Sequence, residues 1–128
     1  MSAEISSGPS SHAGVTIWHN PNCSNSRGAL ALLRERGIEP HVVLYLQDTP
    51  DRATLWATVR ATGKPVRALL REKEALCAEL GLNDAGKTDD ELVDAMLAHP
   101  VLINRPVVIT GKGARLCRPP ELVLDLID

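Results

Sequence analysis

The chain contains no phenylalanine, and Trp18, Tyr45 and Trp56 are the only aromatics among its 128 residues. Its core is therefore expected to be built from Leu, Val, Ile and Ala. Positive charge is not in excess: 14 Lys and Arg against 16 Asp and Glu leave a net charge of −2. That rules out a general attraction to nucleic acid or to an anionic membrane, so any anion site has to be a local cluster of positive groups. No apolar run approaches the roughly 20 residues that cross a bilayer as a helix. Cysteine is sparse and odd in number: Cys23, Cys77 and Cys117, widely spaced and never as Cys-x-x-Cys. This argues against a disulfide framework and for reduced thiols in the cytoplasm. The four histidines, His12, His19, His41 and His99, form no pair with metal-ligand spacing, so no metal is expected. Residues 1–14, MSAEISSGPSSHAG, have neither the basic start nor the apolar segment of a signal peptide, and read as a disordered leader.

The remainder, 15–128, has the length of one domain. Val15 to Trp18 is a β-branched and aromatic run that predicts a strand, ended by the turn signal Asn20-Pro21. Helical spacing follows from Ser26 to Arg36, with Gly37 as its stop. HVVLYL, 41–46, predicts a second strand, and Leu55 and Val59 mark a second helix. The stretch from Val66 to Leu80 reads as two short helical segments. Thr88-Asp89-Asp90-Glu91 is a capping box for a helix that His99-Pro100 ends. Val107 to Thr110 and Ala114 to Cys117 predict a hairpin around Gly111-Lys112-Gly113. Pro119-Pro120 then opens a last helix with Leu122 and Leu126 on one face. The order β-α-β-α, helical insertion, β-β-α is that of an α/β thioredoxin-like fold with a mixed four-stranded sheet. Its first two strands should be parallel through a right-handed crossover, and its last two antiparallel.

The chemistry concentrates in HNPNCSNSR, 19–27. Cys23 follows a strand and precedes a helix, whose N-terminus carries free N–H groups and the positive end of the helix dipole. That setting stabilises a thiolate, the nucleophilic form. Helix amides can hold an incoming oxyanion beside it. Ser26 and Ser24 offer hydroxyls to the sulfur, and His19 offers positive charge or a proton path. In thioredoxin-like proteins a cis-proline before the third strand lies across from the active-site cysteine. Pro106 occupies that place, which directs Arg105 toward Cys23. Arg118 and Arg71 are the next candidates, since the planar guanidinium suits tetrahedral oxyanions.

HNPNCSNSR, VRALLR (66–71), LINRPVVIT (102–110) and ARLCRPPE (114–121) together resemble the glutaredoxin-linked, glutathione-dependent arsenate reductase family, and in particular its shorter members. The resemblance runs from about Val15 onward. It implies that Cys23 attacks arsenate, that Arg71, Arg105 and Arg118 bind the oxyanion, and that His19 and Ser26 assist the thiol. It further implies a cytoplasmic enzyme without a bound cofactor, using glutathione as reductant and glutaredoxin as partner. An external thiol also accounts for the missing second cysteine. Cys77, in an apolar helical stretch, reads as core filler; Cys117 adjoins Arg118, which leaves a resolving role open.

Two other readings stand beside this one. Spx-like transcription factors that bind RNA polymerase share the fold, but they usually carry Cys-x-x-Cys where this chain has Ser26. A glutathione-dependent thiol oxidoreductase acting on another substrate is the second. The unrelated arsenate reductases with a phosphatase loop need an arginine six residues after the cysteine, where this chain has Ala29.

Overall fold

The computed structural model describes residues 14–127; the expected leader lies outside them except for Gly14. The chain forms two compact units. The first takes in the chain up to Leu44 and again from Arg105 onward; the second is Tyr45–Asn104.

The first unit holds the whole sheet. Its elements are β1 (Thr16–Trp18), α1 (Ser24–Glu35), β2 (His41–Val43), β3 (Val107–Thr110) and β4 (Gly113–Leu116), followed by a 3-10 helix, Pro120–Leu126. The strand order is β2-β1-β3-β4. β1 runs parallel to β2, with Ile17 opposite Val42, and antiparallel to β3, with Ile17 opposite Val108. β3 and β4 form the hairpin. This is the mixed sheet of the thioredoxin-like plan. Val15, Ile17 and Val108 form one buried cluster with Ala29, Leu30 and Leu33 of α1 and with Cys117, Val123 and Leu126. The buried positions of α1, Ser26, Ala29, Leu30 and Leu33, are spaced as one helical stripe. The helix closes in a Schellman motif: Ile38 N–H donates to Leu33 O and Gly37 N–H to Arg34 O, with Gly37 at φ 76°.

The second unit is helical, with α2 (Arg52–Thr62), α3 (Ala75–Glu79) and α4 (Asp89–Ala98), a 3-10 turn at Val66–Leu69 between α2 and α3 and another at Pro100–Leu102 after α4. Asp51 caps α2 by accepting from Thr54 N–H at 2.8 Å. The capping box of α4 is complete: Glu91 N–H donates to Thr88 Oγ1 at 3.1 Å, and Thr88 N–H to Glu91 Oε1 at 2.8 Å. Leu55 and Val59 of α2 and Leu92, Val93 and Met96 of α4 are buried.

Three local expectations change. The helix predicted from Ser26 begins at Ser24, because Cys23 is already its extended N-cap. HVVLYL is a strand only through Val43. Its partner β1 ends at Trp18, and the last bond between them is from His19 N–H to Val43 O at 2.8 Å, after which the chain enters the Asn20 turn. The last helix winds as 3-10 with Val123 and Leu126 inward, instead of as an α-helix with Leu122 and Leu126 inward. At three residues per turn, positions i and i+3 share a face.

Candidate active site around Cys23

The turn before α1 is held by its own polar groups. Cys23 N–H donates to Asn20 O at 3.0 Å, Asn22 N–H to Asn20 Oδ1 at 2.9 Å, and Arg27 Nη1 to Pro21 O at 2.8 Å. Cys23 therefore sits at the N-cap with φ −102° and ψ 123°, its carbonyl accepting from Arg27 N–H. The residue is 8% exposed. Burial alone pushes its thiol pKa up. The backbone N–H of Ser26, the side chain of Arg105, the N–H of Asn25 and the charge of Arg105 outweigh that, and the net shift is downward. Arg118 Nη1 lies 3.8 Å from the sulfur, a long contact even for sulfur, and donates more closely to Arg105 O at 3.0 Å. Arg105 is thus the arginine that acts most on the thiol, and Arg118 ties the two together. Arg105 is half-buried and Arg118 exposed.

The bond from Arg105 to Pro106 is cis, as the thioredoxin-like plan implied; the bond from Arg118 to Pro119 is also cis, which the sequence reading did not foresee. Pro106 O accepts from Cys117 N–H at 2.9 Å, so this segment and the end of β4 are joined.

His19 and Ser26 meet, but not as hydroxyl and histidine serving the sulfur directly. His19 Nδ1 is 2.6 Å from Ser26 Oγ, which also accepts from Asn20 N–H at 3.0 Å. With its hydroxyl engaged on both sides, Ser26 serves the sulfur through its backbone N–H. Burial, with the charges of Arg34 and Arg27, lowers the His19 pKa, which favours the neutral ring. Its geometric effect is to hold Ser26 and the turn together.

Arg71 belongs to the second unit. Its N–H donates to Leu102 O at 2.7 Å, and its Nε lies 3.3 Å from Glu74 Oε2. Sequence reasoning passed over Asn20 and Arg27, whose side chains brace the turn. The Asn-Pro spelling was the available signal for Asn20, since Asn side chains stabilise turns by bonding backbone two residues on. Arg27 had none beyond its presence in the motif. Among the described residues no group of three or more His, Cys, Asp and Glu could hold a metal ion.

The other two thiols differ sharply from Cys23. Cys117 is fully buried and its pKa is pushed up to about 12, mainly by burial. Cys77 is also buried, its pKa is raised by burial, and its thiol donates to Asn83 Oδ1 at 3.3 Å. Iodoacetamide should therefore label Cys23 alone in the folded protein. The labelling rate should rise with pH through a midpoint below that of a free thiol and level off above it, because the thiolate is the reacting form. Peptide mapping by mass spectrometry reads this directly. A Cys23 midpoint at or above the free-thiol value would contradict the electrostatics of the site.

The arrangement can do specific chemistry. A thiolate at a helix N-terminus, with one guanidinium on it and a second held nearby by the carbonyl of Arg105, can attack an electrophilic centre and stabilise its oxygens.

Comparison with known proteins agrees with this chemistry. Residues 18–126 match the ArsC family. The chain is 56% identical over 113 residues to an arsenate reductase of Rhizobium meliloti (strain 1021), covering 88% of this chain and 81% of that protein. It is 50% identical over 115 residues to an arsenate reductase of Escherichia coli, covering 90% and 82% respectively. The solved arsenate reductase from Vibrio cholerae superposes with a TM-score of 0.85 at 46% identity, over 88% of this chain and 97% of that one.

Proposed function

Since the chain belongs to the ArsC family, we propose that it reduces arsenate to arsenite, with Cys23 as nucleophile, glutathione as reductant and glutaredoxin as recycling partner. The observation that carries the reading is the meeting of the Cys23 sulfur with the α1 amides and the guanidiniums of Arg105 and Arg118. In the first step the Cys23 thiolate forms a bond to arsenic and an oxygen leaves as water or hydroxide. Arg105 and Arg118 hold the remaining oxygens and spread the charge that develops. A glutathione thiolate then attacks. The two sulfurs together give up two electrons, arsenic passes from As(V) to As(III), and Cys23 is left in a mixed disulfide with glutathione. Glutaredoxin thiols reduce that disulfide and restore Cys23.

The family resemblance adds Arg71 as a third oxyanion arginine, treats residues 15–128 as one functional domain, and assigns His19 and Ser26 to the support of the thiol. Among the described residues no helix is long and apolar enough to cross a membrane. The cytoplasm is the compartment that keeps three unpaired thiols reduced and supplies glutathione. A switch of the Spx kind is not favoured, because the position where a second thiol would sit carries Ser26, whose hydroxyl is bound to His19.

The test is a coupled assay with glutathione, glutaredoxin and arsenate. Arsenate-dependent turnover that requires all three supports the reading. Its absence, with turnover of a glutathione mixed disulfide retained, reassigns the protein to general thiol reduction.

A further inference from the structure

Gly28 lies inside α1, five residues beyond Cys23, where glycine is a poor helix former. Its backbone is not in the left-handed region, so conformational freedom does not explain it. Space does. A Cβ at this position would lie 2.9 Å from Pro120 Cγ and 3.2 Å from Pro120 Cβ. Both are atoms of a rigid ring, which cannot swing aside as a flexible side chain would. Ordinary contact would require α1 and Pro120 to separate by about 0.5–1 Å.

Pro120 is two residues from Arg118, and the intervening Pro119 also has a ring-fixed φ, here −73°. Two successive prolines leave little freedom to absorb a displacement before it reaches Arg118. The Arg118 guanidinium is bonded to Arg105 O and lies against Cys23 Sγ, while Cys23 rides on the end of α1. The distance between α1 and Pro120 therefore sets the distance between the sulfur and its two arginines.

We propose that Gly28 is a positioning residue: by omitting a side chain it seats α1 on Pro120 and so holds Cys23 against Arg118 and Arg105. The proposal rests on Cys23 being the reactive thiol. Its test uses labelling of Cys23, not arsenate turnover, so the two readings fail separately.

In Gly28→Ala, labelling of Cys23 by iodoacetamide at pH 7 should slow about three- to tenfold, with the midpoint of its pH profile moved up by roughly 0.5–1 unit. A purely structural role predicts lower stability from the contact with Pro120 but no such change in the thiol profile. Gly28→Ala/Pro120→Ala removes the ring atom nearest the new methyl and should recover the wild-type rate to within about twofold. Arg118→Ala should slow labelling clearly in the wild type and much less in Gly28→Ala, because the two changes act on one contact.

An unshifted profile in Gly28→Ala would overturn the proposal. So would a folded double variant as slow as the single one, or effects of Gly28→Ala and Arg118→Ala that simply multiply. If Gly28→Ala does not fold, the double variant decides. Folding with a wild-type profile upholds the constraint, and failure to fold removes Pro120 as its cause. An ordinary thiol profile in the wild type would instead remove the proposed function.

Discussion

Cys23→Ser is expected to lower glutathione-dependent arsenate turnover on the order of 10⁴-fold or more, as removal of an enzyme's nucleophile does. The reason is chemical, since a serine hydroxyl stays protonated at neutral pH and cannot carry sulfur's redox step. The substitution is well suited to the question because position 23 is the N-cap of α1, where the side chain faces the N–H groups of Asn25 and Ser26. Serine is among the favoured residues there and can accept a bond from a first-turn N–H. The variant should therefore fold at least as well as the parent, and lost turnover cannot be put down to unfolding. Cys77→Ala and Cys117→Ala serve as controls. Both thiols are buried with raised pKa values, and turnover should survive their removal. A Cys23→Ser protein retaining a tenth or more of the parent rate would sink the mechanism. A Cys117→Ala protein that turns over once and stops would transfer the resolving role to Cys117.

Leu33→Ala should strongly destabilise the first unit. Leu33 is fully buried in the cluster where α1 meets Ile17, Val108 and Val123. Truncation removes methyl and methylene contacts and leaves a cavity, a loss of about 2–5 kcal/mol that the higher helix propensity of alanine offsets only slightly. Whole domains are stable by only about 5–15 kcal/mol, so much of the margin is gone. Urea unfolding followed by the fluorescence of Trp18 and Trp56 should show the midpoint falling with the slope nearly unchanged. A loss below about 1 kcal/mol would mean that the packing around α1 is looser than the structure has it. The same cluster anchors the helix that presents Cys23, so labelling of Cys23 should become less selective as the variant approaches its midpoint.

Several features of the site could be read from local spelling because they depend on neighbours in the chain. The Asn-Pro turn, the strand before it and the helix after it are short-range matters, and together they place Cys23 at a helix N-terminus. The capping box of α4 is equally local. Strand ends and helix type were less legible. β2 stops where its partner stops, and the pairing partner lies more than twenty residues away. The 3-10 winding of Pro120–Leu126 turns Val123 inward, which a spacing of four would have assigned to Leu122.

The roles of individual groups divide in the same way. By itself the sequence determined the order of the elements, the setting of Cys23 between a turn and a helix N-terminus, the absence of a second thiol beside it and, through family spelling, the arginines worth considering. Only the tertiary structure decided that Arg118 reaches a sulfur 95 positions away and braces Arg105, that the Ser26 hydroxyl belongs to His19 while its N–H serves Cys23, and that Cys117 is sealed in the core. It also showed that a Cβ at position 28 would meet the ring of Pro120. The physical reason is common to all of these. Hydrogen bonds, burial and steric contact depend on distance in space, and a chain's spelling fixes that distance only over a few residues.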